Sequence, residues 1–121
     1  MDNWIKLGFL NESDCDFAIH YKQIGLYRAV LNNIIVYVGK ATEINNGGFR
    51  KRLRDYTRES NSARDYPSGT MMNKHQSELV IEILPLDKSK SVIATMENEA
   101  ILTMKPKWNE FDSNKLGCIN I

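Results

Sequence analysis

Two charged side chains sit where helical spacing turns them inward. Arg52 lies three residues after Phe49 and four before Tyr56, on the core side of the helix that Phe49, Leu53 and Tyr56 define. Glu97 falls among Ile93, Ala100, Ile101 and Met104, inside the apolar arc of a second helix that also holds Val92 and Met96. A buried guanidinium without a partner is costly, so Arg52 needs a partner or a task. A carboxylate so placed must be satisfied by a cation, a hydrogen-bond network or a metal. Upstream stand two tyrosines close to glycines, Tyr27 in Gly25-Leu26-Tyr27 and Tyr37 in Tyr37-Val38-Gly39-Lys40.

These residues need elements to hold them. Residues 24–31 and 34–39 are rich in β-branched and aromatic side chains, and Asn32-Asn33 between them predicts a hairpin. A plain two-residue turn places Tyr27 and Tyr37 on opposite sides of the sheet. A three-residue loop or an equivalent bulge places them on one side, which joint action requires. A flexible stretch, Asn45-Asn46-Gly47-Gly48, leads to the helix starting near Phe49, whose Arg50, Arg54 and Arg58 form a separate stripe. Residues 59–76 read as a long polar loop with Pro67-Ser68-Gly69 at its turn, a length that hints at function or disorder. A third strand follows over 77–84, with Leu79, Ile81 and Ile83 on one face and Pro85 ending it. The second helix runs from about Ser89 to Met104, stopped by Lys105-Pro106.

The first 23 residues are less regular. Trp4, Ile5, Leu7, Phe9 and Leu10 fit a short strand or a helical turn packed as a cover, and Ser13-Asp14-Cys15-Asp16 fits a turn or cap. Cys15 and Cys118 show no metal-ligand or redox spacing and read as free thiols of a reducing cytoplasm. His20 and His75 likewise lack ligand spacing and read as surface residues, with His75 a weak candidate for a phosphate contact.

With 121 residues, 42% hydrophobic and 26% charged, the chain fits one soluble globular domain over 1–121. No apolar run reaches membrane-spanning length, which excludes a helical membrane protein and argues against export. The net charge of +1 argues against non-specific coating of nucleic acid. It conceals a strong asymmetry. Residues 49–64 carry Arg50, Lys51, Arg52, Arg54, Arg58 and Arg64 against Asp55 and Glu59, a local +4, whereas residues 1–24 carry −2. The basic stretch suits either a phosphate backbone or a solvated helix face.

In sequence order these elements resemble the GIY-YIG nuclease family. Gly25-Leu26-Tyr27 and Tyr37-Val38-Gly39 stand for the two naming motifs, each with one conservative change. Tyr37 to Ala41 followed by Lys51-Arg52-Leu53 and Tyr56, and Glu97-Asn98-Glu99 leading to Lys105-Pro106-Lys107-Trp108-Asn109, are similar to the nuclease domain of the bacterial excision-repair incision subunit. The match covers about 24–109. Asn45 to Gly48 lengthens the loop before the arginine helix relative to that subunit. No recognition domain accompanies the core, so the chain looks more like compact phage-type or restriction-type members, which assemble as oligomers.

The resemblance implies an α+β fold, a three-stranded antiparallel sheet flanked by helices, here with an N-terminal extension. It implies a Mg²⁺-dependent, cytoplasmic DNA endonuclease that also accepts Mn²⁺. Tyr27 would be the general base, with Arg52, Lys40 and the metal favouring its phenolate. Tyr37 would bond the phosphate or the attacking water, and Arg52 would bind the scissile phosphate. Tyr56 would orient or deprotonate Tyr27, Glu97 would be the sole protein ligand of the metal, and Asn109 would brace the site. Arg50, Lys51, Arg54, Arg58 and Lys74 would grip DNA. Two alternatives stay open: a non-catalytic module binding nucleic acid or protein, and a nuclease subunit targeted by a partner protein.

Overall fold

A computed structural model describes residues 3–11, 23–43, 47–57 and 67–112. The elements are β1 (Ile5–Phe9), β2 (Gly25–Leu31), β3 (Ile34–Ala41), α1 (Gly48–Asp55), α2 (Pro67–Lys74), β4 (Val80–Pro85) and α3 (Lys90–Met104), with a further helical turn over 107–112. All neighbouring strands are antiparallel, in the order β1-β4-β2-β3. The expected three-stranded sheet flanked by helices is therefore present. The N-terminal extension enlarges it: β1 pairs with β4 as a fourth strand at the edge rather than lying over the sheet as a cover.

The β2–β3 hairpin meets the register condition by a bulge. Asn32 and Asn33 both have positive φ, 52° and 67°, and form a tight two-residue turn with Leu31 opposite Ile34. One extra residue then enters β3, because Val30 pairs with Ile35 but Ala29 pairs with Tyr37. The slip reverses the facing of the rest of β3. Tyr27, Ala29, Tyr37 and Gly39 consequently share one face of the sheet.

That face carries the main core. Tyr27, Ala29, Leu79, Ile81 and Ile83 pack with Phe49 and Leu53 of α1, Tyr56 beyond it, Met72 of α2 and Trp108. Leu26, Val38 and Lys40 leave the opposite side, where α3 packs with Ile93 fully buried. Val92, expected in the buried arc of α3, is 42% exposed, so that arc is narrower than its apolar residues suggest. Ser89 caps α3 by accepting from the Val92 N–H, and Lys105 in the left-handed conformation closes it ahead of Pro106.

Pro67-Ser68-Gly69 is not the turn of a polar loop but the opening of α2. Proline at the first helical position has no amide hydrogen to leave unpaired, and its φ suits the helix. Ser68, Gly69 and Met72 are buried there. Cys15, Cys118, His20, Asn45, Asn46 and Arg58 lie outside the described residues. His75 is not a plain surface residue: its ring stacks on Trp108 at 5.7 Å and meets Glu78 at 3.0 Å.

Candidate functional site

The centre of the shared face is a cluster of three phenols. The hydroxyl oxygens of Tyr27 and Tyr56 are 2.6 Å apart, and Tyr37 lies beside them on the same face. Ring centroids of Tyr27 lie 6.2 Å from Tyr37 and 6.1 Å from Tyr56, within the range of favourable tilted and edge-on aromatic contacts. Gly39 makes room for this. A Cβ there would come within 2.5 Å of both Cζ and Oη of Tyr27, so only glycine lets the phenol lie against β3. The spacing of tyrosine on one strand and glycine on the next thus has a steric cause.

Arg52 stands beside this cluster, and its charge acts on both Tyr27 and Tyr56. Its side chain is 42% exposed and reaches Glu43 at 3.4 Å. Burial works against the guanidinium charge. Tyr27, Tyr56, Glu43 and Asp55 outweigh it and hold the group more basic than usual. Arg52 and Glu97, both turned inward by helical spacing, do not pair with each other; each has its own partner.

Burial is the largest influence on the phenols, and it raises the pKa of all three. For Tyr27 the neighbouring Tyr56 and Tyr37 push the same way, and Arg52 opposes them without prevailing. For Tyr56 the rise from burial is opposed by the hydrogen-bonded Tyr27, by Arg52 and by the nearby Tyr37. The Tyr27 phenolate thus draws support from Arg52 against the pull of burial. Desolvation outweighs the guanidinium, and Lys40 leaves the sheet on the face opposite Tyr27.

The second group lies one residue along β3. Lys40 leaves the face opposite Gly39 and meets Glu97 of α3, Nζ to Oε1 at 3.3 Å. The Glu97 side chain is 16% exposed and that of Lys40 41%. Among the described residues no group of three or more His, Cys, Asp or Glu side chains is placed to hold a metal ion. A lone carboxylate suits a cation that keeps most of its own water, as Mg²⁺ does, and does not suit one that needs a protein cage.

Asn109 acts on the sheet itself. Among the described residues β3 is an edge strand, and its outward Val38 N–H and C=O face no further strand there. The Asn109 side chain takes both: Oδ1 accepts from Val38 N and Nδ2 donates to Val38 O, each at 2.9 Å. Of the expected DNA-contacting residues, Arg50 and Arg54 are exposed on α1, Lys51 is exposed and meets Asp55 at 3.6 Å, and Lys74 is exposed at the end of α2.

Three contributors escaped the sequence reading. Ser68 and Asp112 form a tight pair behind Tyr37, with Ser68 Oγ donating to Asp112 Oδ2 at 2.6 Å and Ser68 N donating to Oδ1 at 2.9 Å. Glu43 partners Arg52. Ser68 and Asp112 are 44 residues apart. Only a helix assignment for 67–74, which Pro67 supports, would have directed attention to Ser68.

No protein-family model matches the chain, and no curated protein matches it. Among solved structures it is similar to the GIY-YIG N-terminal endonuclease domain of UvrC from Thermotoga maritima, a point mutant bound to its catalytic divalent cation. The TM-score is 0.52 at 17% identity, covering 76% of this chain and 88% of that one. No helix among the described residues is long and apolar enough to cross a membrane. With its antiparallel sheet flanked by helices, the chain has the fold of a GIY-YIG endonuclease domain.

Proposed function

We propose that the protein is a Mg²⁺-dependent endonuclease that hydrolyses DNA phosphodiester bonds, with 24–109 as its catalytic core. The observation that carries this reading is the gathering of Tyr27, Tyr37, Tyr56 and Arg52 on one sheet face of a nuclease-type fold. A buried phenol cluster beside a half-exposed guanidinium combines a proton acceptor with an anion clamp. Hydrolysis of a phosphodiester requires both.

In this reading Arg52 exchanges its exposed contact with Glu43 for two parallel hydrogen bonds to the scissile phosphate, which guanidinium geometry favours. Tyr27 is the general base, its phenolate favoured by the Arg52 charge and taking the proton of the attacking water, and Tyr56, hydroxyl to hydroxyl at 2.6 Å, orients its oxygen. Tyr37 orients that water. Glu97 would be the protein ligand of the hydrated cation, with Lys40 beside it. When bound, the cation would neutralise charge on the phosphate and on the leaving oxygen. Asn109 keeps β3, and with it Tyr37 and Lys40, in place from behind. Arg50, Lys51, Arg54, Arg58 and Lys74 hold the DNA backbone. The basic stretch is short, which suits either a homo-oligomer or a partner protein that adds DNA contacts.

Supercoiled plasmid incubated with the purified protein and Mg²⁺ tests the reading. The wild type is expected to nick or linearise it, and Arg52→Ala and Glu97→Ala to be slower by on the order of 100-fold or more. Absence of cleavage across metals and salt concentrations, or full cleavage by both variants, would overturn it.

A further inference from the structure

The guanidinium assigned to the phosphate is not a bare cation. Arg52 Nη2 meets Glu43 Oε1 at 3.4 Å, and with the two side chains 42% and 46% exposed a ligand can reach both from solvent. Glu43 is held there by its backbone. Its carbonyl accepts the Gly48 N–H at 3.1 Å, which ties the residue to the start of α1 and leaves the carboxylate to reach Arg52. Ala41, Thr42, Gly48 and Lys51 complete the lining of the small cleft that these two side chains share. Lys51 in turn has Asp55 at 3.6 Å. Each cation of the cleft therefore already has a carboxylate partner.

That balance decides which phosphate the cleft can keep. A phosphodiester within a DNA strand carries one negative charge. Hydrolysis breaks the bond from phosphorus to the leaving oxygen and forms one from phosphorus to the water oxygen. Of the two protons that water brings, one ends on the leaving oxygen, and the other is lost to solvent above a second phosphate pKa of about 6. The new end thus carries two charges where the substrate carried one. A lone guanidinium attracts the dianion more strongly and would hold product better than substrate. Glu43 repels in the same proportion. At an exposed position one such charge pair is worth about threefold in affinity, so the carboxylate disfavours the diester about threefold and the cleaved end about tenfold.

We propose that Glu43 is a specificity-determining residue that makes Arg52 select the singly charged internal phosphodiester over a doubly charged terminal phosphate, and so keeps the cleaved end from being retained. The inference rests on the nuclease reading above and deepens it to substrate class and product release. The chemistry it serves is cutting within a strand, not trimming terminal phosphates.

Glu43→Gln tests this, because it keeps the shape of the side chain and removes its charge. Glu43→Ala removes the same charge and is the second variant. The NMR signal of the Arg52 guanidinium carbon, assigned by its absence from Arg52→Ala, is followed in the full chain without metal. Dimethyl phosphate, a monoanion, or methyl phosphate, mostly a dianion at about pH 7.5, is then titrated in. Relative to wild type, both variants are expected to bind dimethyl phosphate about threefold and methyl phosphate about tenfold more tightly. In plasmid cleavage with Mg²⁺, the inhibition constants of the two ions should fall by the same two factors. Equal gains for the two ions, no gain, or no response of Arg52 to either ion in any of the proteins would overturn the proposal. If the wild type itself cleaves nothing, the nuclease reading fails, and the titration still decides whether Glu43 discriminates between the two phosphate charges.

Discussion

The hydroxyl oxygens of Tyr27 and Tyr56 stand 2.6 Å apart, with the two residues only 2% and 7% exposed. Such a pair is comfortable while both phenols keep their protons and costly once either loses one. Burial raises the pKa of Tyr27, Tyr37 and Tyr56 alike, so the folded protein holds these protons beyond the pH at which an unfolded chain releases them.

The sign of the pH dependence follows. Below the unfolded tyrosine value, near pH 10, both states are protonated and the stabilising contribution is fully present. Above it the unfolded chain binds fewer protons than the folded one, and stability falls by up to about 1.4 kcal/mol per pH unit for each tyrosine still neutral in the fold. Thermal melts between pH 8 and pH 11 should show this loss begin near pH 10. Tyr27→Phe should make the slope shallower by about one proton. At pH 8 it should cost about 1–2 kcal/mol, because Tyr56 loses a buried partner.

Glycines 25 and 39 differ in what they would strike. A Cβ at Gly39 meets the far end of the Tyr27 ring, whereas one at Gly25 comes within 2.1 Å of the Leu84 carbonyl oxygen on the neighbouring strand. Gly25 also has φ of +150°, a conformation that L side chains rarely adopt. Gly39→Ala should cost about 1–3 kcal/mol by overpacking and displace the Tyr27 hydroxyl. Gly25→Ala should cost more, because a paired backbone cannot yield as a side chain can. Urea denaturation ranks the two, and equal losses would refute the distinction.

Asn109 offers a prediction that separates bracing from chemistry. Replacing it with Ala deprives Val38 of both side-chain hydrogen bonds at the sheet edge, and a loss of about 1–3 kcal/mol is expected. The Val38 amide should exchange its hydrogen faster in that variant. Asn109→Asp keeps the acceptor but loses the donor, so it should protect that amide while remaining less stable than wild type. An unchanged exchange rate in the alanine variant would show that the contact does not brace β3.

Parts of this arrangement were legible in the amino-acid order, and the rest was hidden for definable reasons. The inward aim of Glu97 and the common face of Leu79, Ile81 and Ile83 followed from periodicity, which burial enforces. Arg52 was aimed correctly, yet it emerges half-exposed at the cluster's margin, because a long side chain can carry its charge outward from a buried stem. Joint placement of Tyr27 and Tyr37 required an odd loop or a bulge, and the bulge between Ala29 and Val30 satisfied it. Periodicity could not locate that bulge, since one inserted residue leaves no compositional mark. The pairing of Ser68 with Asp112 was invisible because it joins two short helical pieces distant in sequence. So was the pairing of Lys40 with Glu97, because it depends on where α3 crosses β3.

The contact between Lys40 and Glu97 yields the last prediction. Lys40 Nζ lies 3.3 Å from the carboxylate proposed to hold the divalent cation, so the ammonium competes with the metal for that charge. The lysine is 41% exposed, and a pair this accessible to solvent is worth only about 0.2–1 kcal/mol. Removing it should therefore strengthen cation binding modestly. Lys40→Met is expected to bind Mn²⁺ about two- to fivefold more tightly than wild type, and Glu97→Ala to lose that binding. Mn²⁺ titration followed by electron paramagnetic resonance reads both without requiring cleavage. If Lys40→Met weakens binding instead, the lysine assists the cation site rather than competing with it. If Glu97→Ala binds Mn²⁺ as well as wild type does, the metal is held elsewhere and the role proposed for Glu97 is wrong.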